Sequence, residues 1–211
     1  MFIIDFILHI DTHLIALTAQ YGAYIYGILF TIVFLETGVV FFPFLPGDSL
    51  LFAAGAFSAQ GVLDPWLLTG LFLAAAILGD ALNFWIGSVV GKKMQAKGWI
   101  PESAVAKTKG FFHKYGAKTI VLARFLPVVR TFAPFVAGMG HMEKKVFFFY
   151  NIIGGSAWVL IFMSLGYFLG AMPIVKENFE IAILFIIFVS VVPTAIEIYS
   201  HHRKNRKISK A

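Results

Sequence analysis

The chain has 211 residues, of which 59% are hydrophobic and only 13% charged, about half the charged share of a soluble domain. This excludes water as the main solvent and points to a single membrane domain over 1–211. The net charge of +6 does not indicate nucleic acid, because the basic residues fall in two clusters that read as topology markers, and the lack of cysteine excludes disulfides and thiol chemistry.

Residues 1–20 read as an interfacial helix. Ile3, Phe6, Ile7, Ile10, Leu14 and Leu17 form one stripe opposite Asp5, His9, Thr12 and His13. These residues contain no Lys or Arg and their apolar run is interrupted by polar side chains, so they are expected to stay in the mature protein rather than act as a cleaved signal. His9 and His13 have the spacing of a metal pair, but a polar interfacial face accounts for them, and no metal or cofactor is expected. Residues 21–91 form a first unit. Within it Pro43, Pro46 and Gly47 divide an apolar stretch into limbs 22–42 and 48–60, because proline removes a backbone donor and clashes with the preceding turn. The limbs are either a hairpin with both ends outside or a span followed by a short return, which leaves the side of the N-terminus open. A full span, 66–91, follows.

Residues 92–118 form a basic loop and an amphipathic helix. Lys92, Lys93, Lys97, Lys107, Lys109, Lys114 and Lys118 face one acid, Glu102, so the loop is expected in the cytoplasm by the positive-inside rule. Val105, Thr108, Phe111, Phe112 and Tyr115 line one face of the helix, opposite the lysines. The second unit is 119–171, followed by a short outer loop, a span over 179–199, and an acid-free basic tail, 200–211, also expected inside. Counting back from the tail, 146–171 crosses outward and 143–145 lies inside. The apolar segment 119–142 must then begin and end on the same side. Pro127 and Pro134 break or kink it, and a re-entrant hairpin satisfies both conditions, since irregular backbone at membrane depth is tolerated where protein or a wet cavity receives it.

Phe44-Leu45-Pro46 and Phe125-Leu126-Pro127 are the same tripeptide, each followed by an Ala-Gly pair, Ala54-Gly55 and Ala137-Gly138. Each unit ends in small-xxx-small spacing, Gly87 to Gly91 and Gly166 to Gly170, which also permits a homo-oligomer without specifying one. One crossing separates the units, so the repeat would be inverted. The fold class expected is an all-α integral membrane protein with two opposed re-entrant hairpins, interfacial helices and about three to four full spans, the geometry that alternating access uses.

Glu36 and Asp48 flank the first Phe-Leu-Pro, and Arg124 and Arg130 the second. A charge at the centre of a membrane helix costs roughly 2.5 to 3.5 kcal/mol on insertion scales, so each needs a partner or a task. Two salt bridges locking the hairpins together is the structural reading. The functional one gives Arg124 and Arg130 an anionic head group, to which the planar guanidinium fork is suited, and gives Glu36 and Asp48 proton coupling, since the protonation of a buried carboxyl beside an arginine depends on what occupies the site. Asp80 is a secondary candidate, with Asn83 about one turn away; an interhelical hydrogen bond explains them equally well. Asn151, Trp85 and Trp158 are expected to pack rather than bind. No Walker motif, zinc-ligand pair or nucleophile elbow is present, so an enzyme has no positive support.

The run from Glu36 through Pro43, Pro46 and Asp48 to Phe52, and that from Ala123 through Arg124, Pro127, Arg130 and Pro134 to Met142, resemble the DedA family, whose domain is also called VTT or SNARE-associated. The YqjA/YghB branch is the nearest match. His9 to Leu14 and Gly79-Asp80-Ala-Leu-Asn83 extend the likeness over nearly the whole chain. The resemblance implies a bacterial inner-membrane protein that depends on the proton motive force and supports envelope maintenance. It implies movement of lipids between leaflets, undecaprenyl phosphate or phospholipid among them, with Glu36, Asp48, Arg124 and Arg130 as the required residues. The partners expected are membrane lipids and protons. A proton-coupled ion or drug antiporter and a non-transporting scaffold are the alternatives. The cysteine-free background makes the hairpins testable: single cysteines near Pro46 and Pro127 should be labelled from opposite sides of the membrane, and labelling of both from one side would remove the inverted arrangement.

Overall fold

The computed structural model describes residues 22–39, 47–100, 102–173 and 175. These residues are helical with no strand among them. In chain order they form α1 (Ala23–Gly38), α2 (Gly47–Ala59), α3 (Pro65–Ala96), α4 (Glu102–Tyr115), a 3-10 turn (Gly116–Lys118), α5 (Thr119–Ala123), α6 (Pro127–Met139) and α7 (Lys144–Gly170). The expected interfacial helix 1–20, the first Phe-Leu-Pro with Pro43 and Pro46, the span 179–199 and the tail 200–211 lie outside the described residues.

Two helices, α3 and α7, are long and apolar enough to cross a bilayer. Asp64 starts α3, its carboxylate accepting a hydrogen bond from the Leu67 N–H (2.8 Å) and Pro65 filling the first position, where the missing donor costs nothing. The helix runs past Gly91 to Ala96, so Lys92 and Lys93 belong to it, and Gly98 turns the chain with φ +71°. Large apolar side chains face outward along both helices, among them Leu78, Trp85 and Val89 on α3 and Phe149, Ile152, Leu160 and Phe168 on α7, as a lipid-facing surface requires.

Helices α2 and α6 pack on these two in a matching pattern. Limb α2 lies against α7 and limb α6 against α3, each through glycines placed where a side chain would strike backbone. A Cβ on Gly55 would meet the Met163 carbonyl and the Tyr167 nitrogen; one on Gly138 would meet the Phe84 carbonyl and the Ser88 nitrogen. Gly166 faces the backbone of Phe52 and Gly87 that of Phe135, while Gly170 faces Ala56 and Gly91 faces Met139. The numbering keeps step throughout: 83 residues separate Gly55 from Gly138, Phe52 from Phe135 and Ala56 from Met139, and 79 separate Gly87 from Gly166, Gly91 from Gly170, Phe84 from Met163 and Ser88 from Tyr167.

Contacts join the two ends of each broken segment. The Tyr26 hydroxyl, in the first turn of α1, accepts a hydrogen bond from the Asp64 N–H beyond α2 (2.9 Å). Phe111 and Phe112, just before α5, pack in one cluster with Met142, just beyond α6. The first meeting point adjoins the start of α3; the second lies toward its other end, where Met94 packs with Ile100, Val105 and Met139.

At the second break, Leu126 is extended (φ −125°, ψ 104°) and Pro127 opens α6, because the residue before a proline is driven out of the helical region. Pro134 does not break the chain as expected. It sits inside α6, where Thr131 to Met139 are all buried, and packing on α3 holds the helix through the lost hydrogen bond. The stripe of α4 also departs from a purely interfacial role: Ala104 and Val105 are buried against Phe132, Phe135, Val136 and Met139 of α6, so protein rather than lipid covers much of its apolar face.

Gly166→Ala and Gly138→Ala should each lower stability by about 1–3 kcal/mol through overpacking, read as a fall in apparent melting temperature in detergent. Gly70→Ala, within α3 but with open space around it, should match the parent or exceed it by up to ~1 kcal/mol.

Candidate functional site

The breaks bring their charged residues together between α3 and α7. Glu36 lies near the end of α1, and its carboxylate sits against Gly47 at the start of α2, where the helix dipole favours an anion. A Cβ on Gly47 would occupy the space of that carboxylate, so only glycine lets Glu36 seat there. Asp48 lies in the same first turn of α2.

Arg130, in the first turns of α6, is shared by both acids. Its Nη1 donates to Asp48 Oδ1 at 2.9 Å, and its Nη2 lies 3.2 Å from Glu36 Oε1, within ion-pair range but off hydrogen-bond geometry. Glu36 Oε2 has no partner. The Arg130 and Glu36 side chains are 10% and 8% exposed, whereas that of Asp48 is 46% exposed, so the cluster is open from the Asp48 side.

Arg124, at the end of α5, turns to other partners. The expectation that the guanidiniums of one hairpin face the acids of the other fits Arg130 but not Arg124. Its Nη2 donates to Asp80 Oδ2 on α3, to Asn151 Oδ1 on α7 (2.7 Å) and weakly to the Ala76 carbonyl (3.4 Å), while Asn151 Nδ2 donates to the Ile77 carbonyl (3.0 Å). Gly154 and Gly155 leave room for this guanidinium, since a Cβ on either would crowd it. Arg124 and Asp80 are almost wholly buried, and the pair fastens the second break to both long helices.

Trp158 stands between the arginines. Its Nε1 donates to Asp48 Oδ1 at 2.7 Å, and its ring centre is 4.1 Å from the Arg130 guanidinium carbon and 5.9 Å from that of Arg124. Asn83 ties the two segments together, its Nδ2 donating to the Thr37 carbonyl of α1 (3.2 Å) and the Thr131 carbonyl of α6 (2.8 Å). Asn151 and Trp158, expected merely to pack, are thus polar partners of the charged groups; exposed Trp85 is not. The signal for them was a stripe on α7: Asn151, Gly154, Gly155 and Trp158 follow i, i+3, i+4, i+7 spacing on one buried face. Among the described residues no group of three His, Asp or Glu side chains gathers as a metal site would require.

Residues 45–168 match the VTT domain, a span that holds every member of these clusters except Glu36, Thr37 and their turn of α1. Over 99% of its length the chain is 50% identical to Protein DedA of Escherichia coli strain K12, covering 98% of that protein. The chain belongs to the DedA family. It is also 33% identical to Inner membrane protein YghB of the same strain, over 89% of the chain and 84% of that relative. An uncharacterized membrane protein of Mycobacterium tuberculosis strain H37Rv is 41% identical over 85% of the chain and 81% of the relative. The family read from the two motifs is therefore upheld, but the expectation that the YqjA/YghB branch is nearest is not, since the chain is more similar to Protein DedA than to YghB. No solved structure matches.

The buried pair of Arg124 and Asp80 gives a stability prediction. Asp80→Leu should cost about 3–5 kcal/mol by stranding a buried guanidinium. Asp80→Leu combined with Arg124→Met should recover most of it, as measured by thermal unfolding of the purified variants.

Proposed function

We propose that this DedA-family membrane protein is a proton-coupled translocase of lipid phosphates, such as undecaprenyl phosphate or a phospholipid, in the bacterial inner membrane. The observation that carries this reading is the sharing of Arg130 by Glu36 and Asp48 at a point open only beside Asp48. A guanidinium with two replaceable carboxylate partners can exchange them for phosphate oxygens of the same charge and geometry. Displaced carboxylates then lose their counter-ion and take up protons, which couples the exchange to the proton gradient. Arg124, anchored by Asp80 and Asn151, keeps the second break in place and adds positive charge behind the exchange point.

We read the two broken segments as opposed re-entrant hairpins of an inverted repeat. Limbs α2 and α6 have 13 residues each and so extend about 20 Å, short of the roughly 30 Å hydrocarbon layer. The duplicated glycine contacts and the contacts joining the two ends of each segment support this reading, with the Arg130 cluster between the hairpins near mid-membrane. The name of the YghB relative supports an inner-membrane location. The basic loop 92–118 supports a cytoplasmic C-terminus, with the chain crossing several times.

In liposomes offered a lipid phosphate on one leaflet, the protein should move it at least about tenfold faster than Arg130→Ala, the loss expected for one charge-assisted contact; equal rates would sink the mechanism. Asp48→Arg with Arg130→Asp should not restore transport. Full function in that pair would instead favour a scaffold in which the charges only lock the segments together.

A further inference from the structure

The bonding around Asp48 gives Trp158 a task beyond packing. Asp48 Oδ1 accepts two hydrogen bonds, one from Arg130 Nη1 (2.9 Å) and one from Trp158 Nε1 (2.7 Å). The same indole lies with its ring centre 4.1 Å from the Arg130 guanidinium carbon, the range of a cation–π contact. Trp158 is wholly buried in the core formed with Val33, Leu51, Phe72 and Met163, which come from α1, α2, α3 and α7. The ring therefore cannot follow a moving arginine. Arg130 can be drawn away while the indole stays where it is.

We propose that Trp158 is a positioning residue that keeps Asp48 in place when Arg130 is drawn to an anionic phosphate, and that receives the guanidinium on its ring when the phosphate leaves. The inference rests on the head-group reading above. An aspartate that lost its guanidinium with no second donor would swing toward its open side or follow the arginine, and the site would not reset to one geometry. With the indole N–H still donating, one oxygen of Asp48 remains fixed and the other is free to take a proton. The remaining charged groups around this point are Glu36 from α1, Asp80 from α3 and Arg124 from α5; none of them has a hydrogen bond to Asp48 among the described contacts. The indole is thus the fixed partner and Arg130 the exchangeable one.

The test uses the protein with Trp66, Trp85 and Trp99 each changed to Phe, which leaves Trp158 as the sole indole of the four. All three replaced side chains are exposed. The protein is placed in phosphatidylcholine vesicles with rising phosphatidic acid. Trp158 emission should shift and saturate as the guanidinium leaves the ring, and should not shift in the Arg130→Gln version, while the indole N–H band in ultraviolet resonance Raman should stay hydrogen-bonded at saturation. An unmoved emission, or an N–H bond lost at saturation, overturns the proposal. Trp158→Phe keeps a ring for Arg130 but removes the donor, and should slow phosphatidic acid movement by roughly tenfold or more; a rate equal to that of the parent also overturns it. Trp158→Leu, which removes both contacts, should be slower still or fail to fold, and the phenylalanine variant decides in that case. An emission shift without lipid movement in the unsubstituted protein rejects the translocase and leaves the spectra to uphold Trp158. An equal shift with free inorganic phosphate upholds Trp158 and assigns the site to phosphate rather than to a lipid.

Discussion

A guanidinium removed from water must be given acceptors by the protein, since an unpaired buried charge costs more than the fold can spare. Arg130 obtains them from both sides of one chain break, Glu36 closing α1 and Asp48 opening α2. Neither acid would reach it from a continuous helix. The break, the glycine at position 47 and the different supports of the two limbs follow from this requirement. Because α1 packs on α3 while α2 packs on α7, the two carboxylates meet only where those long helices hold their limbs in register. Asn83 fixes the same register by bonding the Thr37 and Thr131 carbonyls at once.

The two arginines do different work although they flank the same tripeptide. Arg124 is enclosed by Asp80, Asn151 and the Gly154-Gly155 pair, in a pocket that belongs entirely to the protein. Arg130 faces an aspartate that is nearly half open. Buried ion pairs add little net stability against an apolar replacement, yet they are costly to break one partner at a time. Such a pair fixes geometry, and fixed geometry at Arg124 is what the proposed partner exchange at Arg130 would need in order to be selective. Trp158 joins the two, touching one arginine and lying close to the other.

Much of this was legible in the chain because membranes simplify the code. Apolar runs, lysine clusters and proline positions mark helices and breaks with little ambiguity, and charged residues inside apolar runs announce themselves. The two long helices, the break at Leu126 and Pro127, and the charged residues beside it could all be read in this way. Pairing could not. Nothing in the spacing of Arg124 says that it turns toward Asp80 rather than Glu36, because that depends on which face of α3 the packing presents to the second break. Pro134 misled for a related reason: local chemistry argues for a break, but a helix packed on all sides can absorb one missing hydrogen bond. The apolar stripe of α4 was plain, but whether lipid or α6 covers it is decided by tertiary packing, and periodicity is silent on that. Trp158 was overlooked because a tryptophan in an apolar helix is common, and its indole N–H matters only once Asp48 is known to lie beside it.

The glycine seams have a mechanical side. Where Gly166 rests on the Phe52 backbone and Gly138 on that of Phe84, main chain lies on main chain. Such close seams leave the glycines no room for a side chain and so hold each pair of helices at one separation. The molecule therefore has two such seams, one on each long helix, with bulky buried side chains, Trp158 and Phe135 among them, packed beside them.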